Sequence, residues 1–462
     1  MKNKNLYSVL LLMLNIAAYG QNPVQKRLDS IMQLAHTRGI FNGNVLVAQN
    51  GRIVYERSFG YADGSKTKLL TSAYKFDIGS VSKEFNGAAI LLLKQRGELS
   101  LDDPISKFLT DLPEWSAKVK IRHLLTYTSG IPTYDPISSE GDSVILANLK
   151  QLKSLKFEPG TAYLYNHYNV YLQMRIVEKV SGQSYAGFLN SNIFKPCGMN
   201  GAVVDLPVSS PDIAKAFDQD FHPTPYFQTV SGWVRLTAKD LYLWSECLHQ
   251  NKILNKSSFA ELAAGFPNGE SSIGTTGFSG DTLSWHRHQG SNSNYEALLY
   301  SDLKQGLTVV MMTNNQQMKV DGIKNALFAA LSKEPATVPK KSFYLEIREK
   351  TLANVDQGLK YYQELKANQQ DTYDFSFEIG DLISTGKYLL RRNKFDDAIK
   401  VFQTAVALKA KPADIAYSYE LMGECYLKKG DKTNAQINYR QALTLNPNNK
   451  NAAGMLQQID KS

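Results

Sequence analysis

The chain has 462 residues, of which 43% are hydrophobic and 21% charged, with 31 glycines and 16 prolines. At ~100–200 residues per domain this is material for two to four domains, and it excludes collagen-like, low-complexity and wholly disordered classes. The net charge of +9 is thinly spread, with no block of five like charges, which excludes a nucleic-acid patch.

Lys2 and Lys4 precede an apolar stretch over residues 6–18, and Ala18-Tyr19-Gly20 then supplies small residues. This reads as a secretory signal peptide over residues 1–20, cut before Gln21, so the protein is expected in the periplasm or secreted. The apolar stretch is short of the ~20 residues that an uncleaved membrane anchor needs, and no later segment spans. Residues 24–39 carry apolar side chains at helical spacing. Residues 44–55 place two β-rich runs around Asn50-Gly51, which predicts a hairpin with a type I′ turn. A second pair of strands is expected over residues 295–300 and 307–312, and a helix over 320–331. Strands at both ends of a long helical middle predict an α+β domain over residues 21–335, its termini closing one antiparallel sheet.

Residues 336–342, with Pro339 and lysines, read as a linker. Beyond it, residues 343–462 form an all-α region with an internal repeat. Gly386 aligns with Gly423, Ala398 with Ala435, Phe402 with Tyr439 and Ala405 with Ala442, at a constant offset. The pattern matches tetratricopeptide helix–turn–helix units at about residues 379–412 and 416–449, with a degenerate third unit in 345–368. Such repeats dock a peptide or protein segment. Cys197, Cys247 and Cys425 show no CxxC spacing, and an odd count makes no closed disulfide framework. Each is expected to fill apolar space. No His, Cys, Asp and Glu cluster has metal-ligand spacing, so neither metal nor cofactor is expected.

A serine nucleophile needs a base within hydrogen-bond reach and donors for an oxyanion. Ser-x-x-Lys on a helix puts an amine beside a hydroxyl, and the pattern occurs five times here. Only Ser80/Lys83, which follows Gly79, opens a long apolar helix, where the helix dipole and the Ser80 N–H favour an anion. His288-Gln289-Gly290 is the only His-x-Gly among seven histidines. His123 reads as structural, and His286 and Arg287 as solvent-facing strand residues without a role.

The stretch Phe76-Asp77-Ile78-Gly79-Ser80-Val81-Ser82-Lys83 is followed by Leu101-Asp102-Asp103-Pro104 and then by His123-Leu124-Leu125-Thr126-Tyr127-Thr128-Ser129-Gly130. Phe157-Glu158-Pro159-Gly160-Thr161 and Thr237-Ala238-Lys239-Asp240-Leu241 continue the order. This resembles the serine β-lactamase and penicillin-binding-protein family in its class C-like branch, over roughly residues 25–331. The resemblance implies an antiparallel sheet flanked by helices, with a helical subdomain. It also implies hydrolysis of an amide or ester through an acyl-enzyme. Ser80 would be nucleophile, with Lys83 and Tyr165 as a coupled base and proton shuttle whose phenolate the ammonium stabilises. Backbone N–H groups of Ser80 and Ser291, beside Gly290, would hold the oxyanion, and His288 would orient substrate from the opposite wall. The family's Tyr-x-Asn stands here as Tyr165-Asn166-His167, so His167 takes the asparagine's place, and its protonation is expected to limit acylation in acid. Lacking a permanently charged lysine at His288, the site favours D-Ala-D-Ala-type peptidase or carboxylesterase action, with weak β-lactamase action at most. The competing reading is an inactive penicillin-binding-like scaffold whose repeats bind a partner.

Overall fold

The computed structural model describes residues 23–133, 141–226 and 230–460; residues 1–20, read above as a signal peptide, lie outside them. Among the described residues nine strands are formed: β1 (Gly43–Gln49), β2 (Arg52–Phe59), β3 (Phe76–Asp77), β4 (Val203–Val204), β5 (Val234–Leu236), β6 (Thr275–Ser279), β7 (Thr282–Asn292), β8 (Tyr295–Asp302) and β9 (Leu307–Thr313). Six make one antiparallel sheet in the order β2-β1-β9-β8-β7-β6. The hairpin turn is where the sequence puts it, with Asn50 and Gly51 both at positive φ. Strand β1 pairs with β9 from Gly43↔Thr313 to Gln49↔Leu307, so the two ends of the domain close the sheet.

Both faces of the sheet are covered, which is why β1 and β9 read as continuous apolar runs rather than as alternation. On one face Val45, Val47, Leu298, Val309 and Met311 pack with Leu28 and Met32 of helix Pro23–Thr37 and Leu327 of helix Val320–Leu331. The opposite parity, Leu46, Leu299, Val310 and Met312, joins the core of the helical body. At the centre of that body runs helix Lys83–Gln95, every residue of which from Lys83 to Leu93 is buried. From Gly87 to Leu93 it carries no polar side chain on any face, as a helix in such a core requires. Strands β3, β5 and β4 form a second, small sheet beside its start.

Cysteine usage differs from the expectation. Cys197 and Cys247 form a disulfide with Cα atoms 5.5 Å apart, tying the segment after the turn Asn190–Phe194 to helix Ala238–His249. An odd count leaves one thiol over, Cys425, buried in the repeat core; it does not forbid a single bridge.

The C-terminal region is a stack of helix pairs. Helices Glu378–Leu390 and Phe395–Val406 make one unit, and Pro412–Lys428 and Lys432–Leu445 the next. A Cβ on Gly386 would stand 2.3 Å from the Phe402 ring, and one on Gly423 would stand 2.8 Å from the Tyr439 ring. The aligned small and aromatic residues are therefore packing partners within each unit. Helices Phe343–Ala353 and Val355–Asn368 make a further pair, and Lys450–Asp460 ends the stack. The segment read as a linker is held rather than loose. Val338 is buried in the core of the N-terminal domain, Arg38 donates to the Val338 and Pro339 carbonyls, and Lys341 bridges to Tyr373.

Candidate active site

The turn Gly79–Ser82 presents Ser80 at the head of helix Lys83–Gln95. Gly79 adopts φ +52°, and its N–H donates to the buried carboxylate of Asp77 at 2.9 Å. Asp77 in turn accepts from Tyr226 at 2.7 Å and lies 3.5 Å from the Arg235 guanidinium, which offsets the cost of burying it. Strand β7 passes close by. A Cβ on Gly290 would fall 1.9 Å from the Ile78 carbonyl, and one on Gly79 would fall 2.4 Å from the Ser291 nitrogen. Only glycine at both positions allows this approach.

Three side chains then converge. Lys83 Nζ is 2.9 Å from Ser80 Oγ, one helical turn away, and the Tyr165 hydroxyl is 2.8 Å from the same oxygen. Tyr165 enters from the loop before helix His167–Ser181, where Asn166 caps the helix by accepting from the Asn169 N–H. Its ring packs on Tyr127, centroids 4.8 Å apart.

Burial pulls the Lys83 amine down to about 7, against the opposing pull of Glu270 and Asp77. Burial pushes the Tyr165 phenol well above its usual range, outweighing its hydrogen bond to Ser80. Burial thus moves the two groups in opposite directions, the phenol towards keeping its proton and the amine towards losing one. His167 departs from expectation. Burial, reinforced by the charge of Lys83, drives its imidazole down to about 3, so it is neutral throughout the working range. Its ring stands edge-on to Trp233 at 5.8 Å, and Lys83 Nζ lies 5.2 Å from the centre of the same indole.

His288 lies within β7, not before it, and is buried. Its Nδ1 is 2.9 Å from Glu84 Oε1, while Glu84 Oε2 accepts from Trp244 at 2.7 Å. This internal pair occupies its Nδ1 and fastens β7 to the residue next to Lys83. His286 is likewise buried, 3.2 Å from His249 Nε2, and Arg287 is paired with Asp321. Neither is a bare solvent-facing residue. His123 is structural as read, its Nδ1 accepting from the Lys120 N–H. Two groups at the site had no motif to announce them. Glu270 is held by a hydrogen bond involving its backbone N–H and Tyr163, whose ring packs on Tyr127, and its charge acts on both Lys83 and Tyr165. Asn86, one turn beyond Lys83, is the second.

A model of the beta-lactamase family matches residues 24–333. The chain belongs to that family, one of serine hydrolases. A tetratricopeptide-repeat model matches residues 416–449. A penicillin-binding protein of Bacillus subtilis (strain 168) is 30% identical over 264 residues, covering 51% of this chain and 58% of that protein. PbpX, another penicillin-binding relative from the same strain, is 29% identical over 316 residues, 64% of this chain and 76% of its own. The chain thus spans little more than half the length of the first of these relatives. Among solved structures, a class C beta-lactamase superposes with a TM-score of 0.58 at 19% identity, over 70% of this chain and 99% of that one, which shows the shared fold.

Proposed function

We propose that the protein is an exported serine hydrolase that acylates Ser80 and hydrolyses an amide or ester, as a D-Ala-D-Ala-type peptidase or a carboxylesterase. The observation that carries this reading is the convergence of Lys83 Nζ and the Tyr165 hydroxyl on Ser80 Oγ. Serine attacks only as its proton leaves, and an amine brought down to about 7 can take it near neutrality. Tyr165 stays a phenol, donates to the serine oxygen, and passes a proton to the leaving group, regaining one from Lys83. The N–H groups of Ser80 and Ser291 hold the oxyanion. Water then resolves the ester on Ser80.

Activity on β-lactams is weak at most in this reading. His288 is engaged by Glu84, and Glu270 adds negative charge beside the site, and both disfavour the binding of a substrate carboxylate. Export is supported by the leader and by the Cys197–Cys247 bridge, which persists in oxidising compartments. The repeats are read as a dock for a peptide or protein segment. The test is a panel of an uncharged ester, a D-Ala-D-Ala peptide and a penicillin, each with wild type and Ser80→Ala. Turnover of the ester or peptide that vanishes in the variant supports the reading. No turnover of any member, or turnover indifferent to Ser80, overturns it.

A further inference from the structure

Asn86 lies one turn beyond Lys83 on helix Lys83–Gln95, on the same face, and is 1% exposed. Both its Oδ1 and its Nδ2 are buried with no hydrogen-bond partner among the described residues. A buried amide left unsatisfied at both ends is costly, and such groups concentrate where function requires them. The amide borders a small cavity of about 10 Å³, which Lys83, His167, Ser231 and Trp233 also line. That is the low end of the ~10–15 Å³ needed for one water molecule; the wall is mostly apolar, and Asn86, Lys83, His167 and Ser231 are among the residues on it that carry the polar groups a water needs.

We propose that Asn86 is a positioning residue for Lys83, acting through one water molecule in this cavity. This inference rests on the reading of Lys83 as the base. A neutral lysine amine has one lone pair and two N–H bonds. To take the proton of Ser80 the lone pair must face Ser80 Oγ, so the N–H bonds must find acceptors elsewhere. The water accepts one of them and donates to Asn86 Oδ1, which fixes the amine's rotation. The same water oxygen supports the ammonium that forms after proton transfer. His167, neutral and lining the same cavity, keeps the space from acquiring a second positive charge. An apolar residue at position 86 would pack well against Val170 and Val230, which also line the cavity. The asparagine thus holds its place at the expense of stability.

The other groups acting on Lys83 are Asp77 on β3, Glu270 from the loop before β6, Tyr165 and His167, and all four are left unchanged in the position-86 variants tested below. The test follows the 13Cε resonance of Lys83 against pH in the full chain labelled with 13C-lysine, assigned by its loss in Lys83→Arg. Wild type is set beside Asn86→Leu and Asn86→Val, which remove the amide, and Asn86→Ser, which keeps a polar group. The apolar variants should lower the Lys83 midpoint by about one pH unit, because the ammonium loses an acceptor. The acidic limb of kcat/KM should follow, with kcat/KM down about tenfold and KM little changed, while Asn86→Ser stays near wild type. Their melting temperatures should be equal to or above wild type. A folded apolar variant with the wild-type Lys83 midpoint overturns the proposal, whatever its activity. If Asn86→Leu fails to fold, Asn86→Val decides. The resonance needs no turnover, so a wild type without ester hydrolysis sinks the reading of function, and an unmoved midpoint sinks this one.

Discussion

The backbone nitrogen of Ser80 would lie 2.6 Å from a Cβ at position 290, so Gly290 sets how closely β7 approaches the nucleophile. The first prediction follows. Gly290→Ala must push β7 and the Ser80 turn apart, at a cost of about 1–3 kcal/mol for overpacking. It should lower kcat/KM at least 100-fold, since misplacement by an ångström at the reacting centre has an effect of that order. Thermal melts and ester kinetics on the same preparation check both parts. Wild-type kinetics would show that this approach does not define the oxyanion site.

The second prediction concerns pH. The base must be the neutral amine, and Lys83 titrates at about 7, so kcat/KM with an uncharged ester should fall tenfold per pH unit below that value. His167 stays neutral down to about 3 and contributes nothing to this limb. A profile of His167→Asn should keep an acidic limb near 7, and its loss would return the limb to the imidazole.

The third prediction concerns acid stability. Burial lowers His249 to about 4 and His286 further, so both are neutral in the folded protein and charge on unfolding. The unfolded state then binds more protons below the ordinary histidine value of ~6.5, and stability must fall as pH drops from there towards 4. Melting temperatures from pH 7 to 4 should show this slope, and His249→Gln should flatten it. An unchanged slope would contradict the assignment.

Much of this site was legible in the sequence. Ser80, Lys83 and Tyr165 sit in local patterns that fix a helix start and a capped loop, and the Asn50-Gly51 turn and the repeat glycines act through nearby backbone or the facing helix. What was not legible depends on tertiary neighbours. The alternation of β7 suggests a polar strand, yet Glu84 and His249 come from elsewhere to receive His288 and His286. The Cys197–Cys247 pairing, the protonated state of Tyr165, and the presence of Glu270 and Asn86 likewise arise from packing that no short motif encodes.

The fourth prediction concerns the bridge. The Cys197–Cys247 link closes a loop of sequence separation 50. In the chain-entropy account its removal costs about 4 kcal/mol. Cys197→Ser/Cys247→Ser should show this in denaturant melts, and a loss under 1 kcal/mol would refute it.

The fifth prediction concerns the domain boundary. Val338 packs in the hydrolase core, so a chain ending at residue 341 should fold and hydrolyse small esters. One ending at 335 exposes that site and should be less stable by about 1.5–3 kcal/mol, the worth of a buried valine. Equal melting temperatures would remove Val338 from the catalytic domain.

The most direct measurement is acid quenching of the full chain during turnover of an uncharged ester, followed by peptide mass mapping. The account predicts an acyl adduct on Ser80, longer-lived where the next step is slowed, and none in Ser80→Ala. An adduct on another residue, or undiminished turnover by Ser80→Ala, would contradict it.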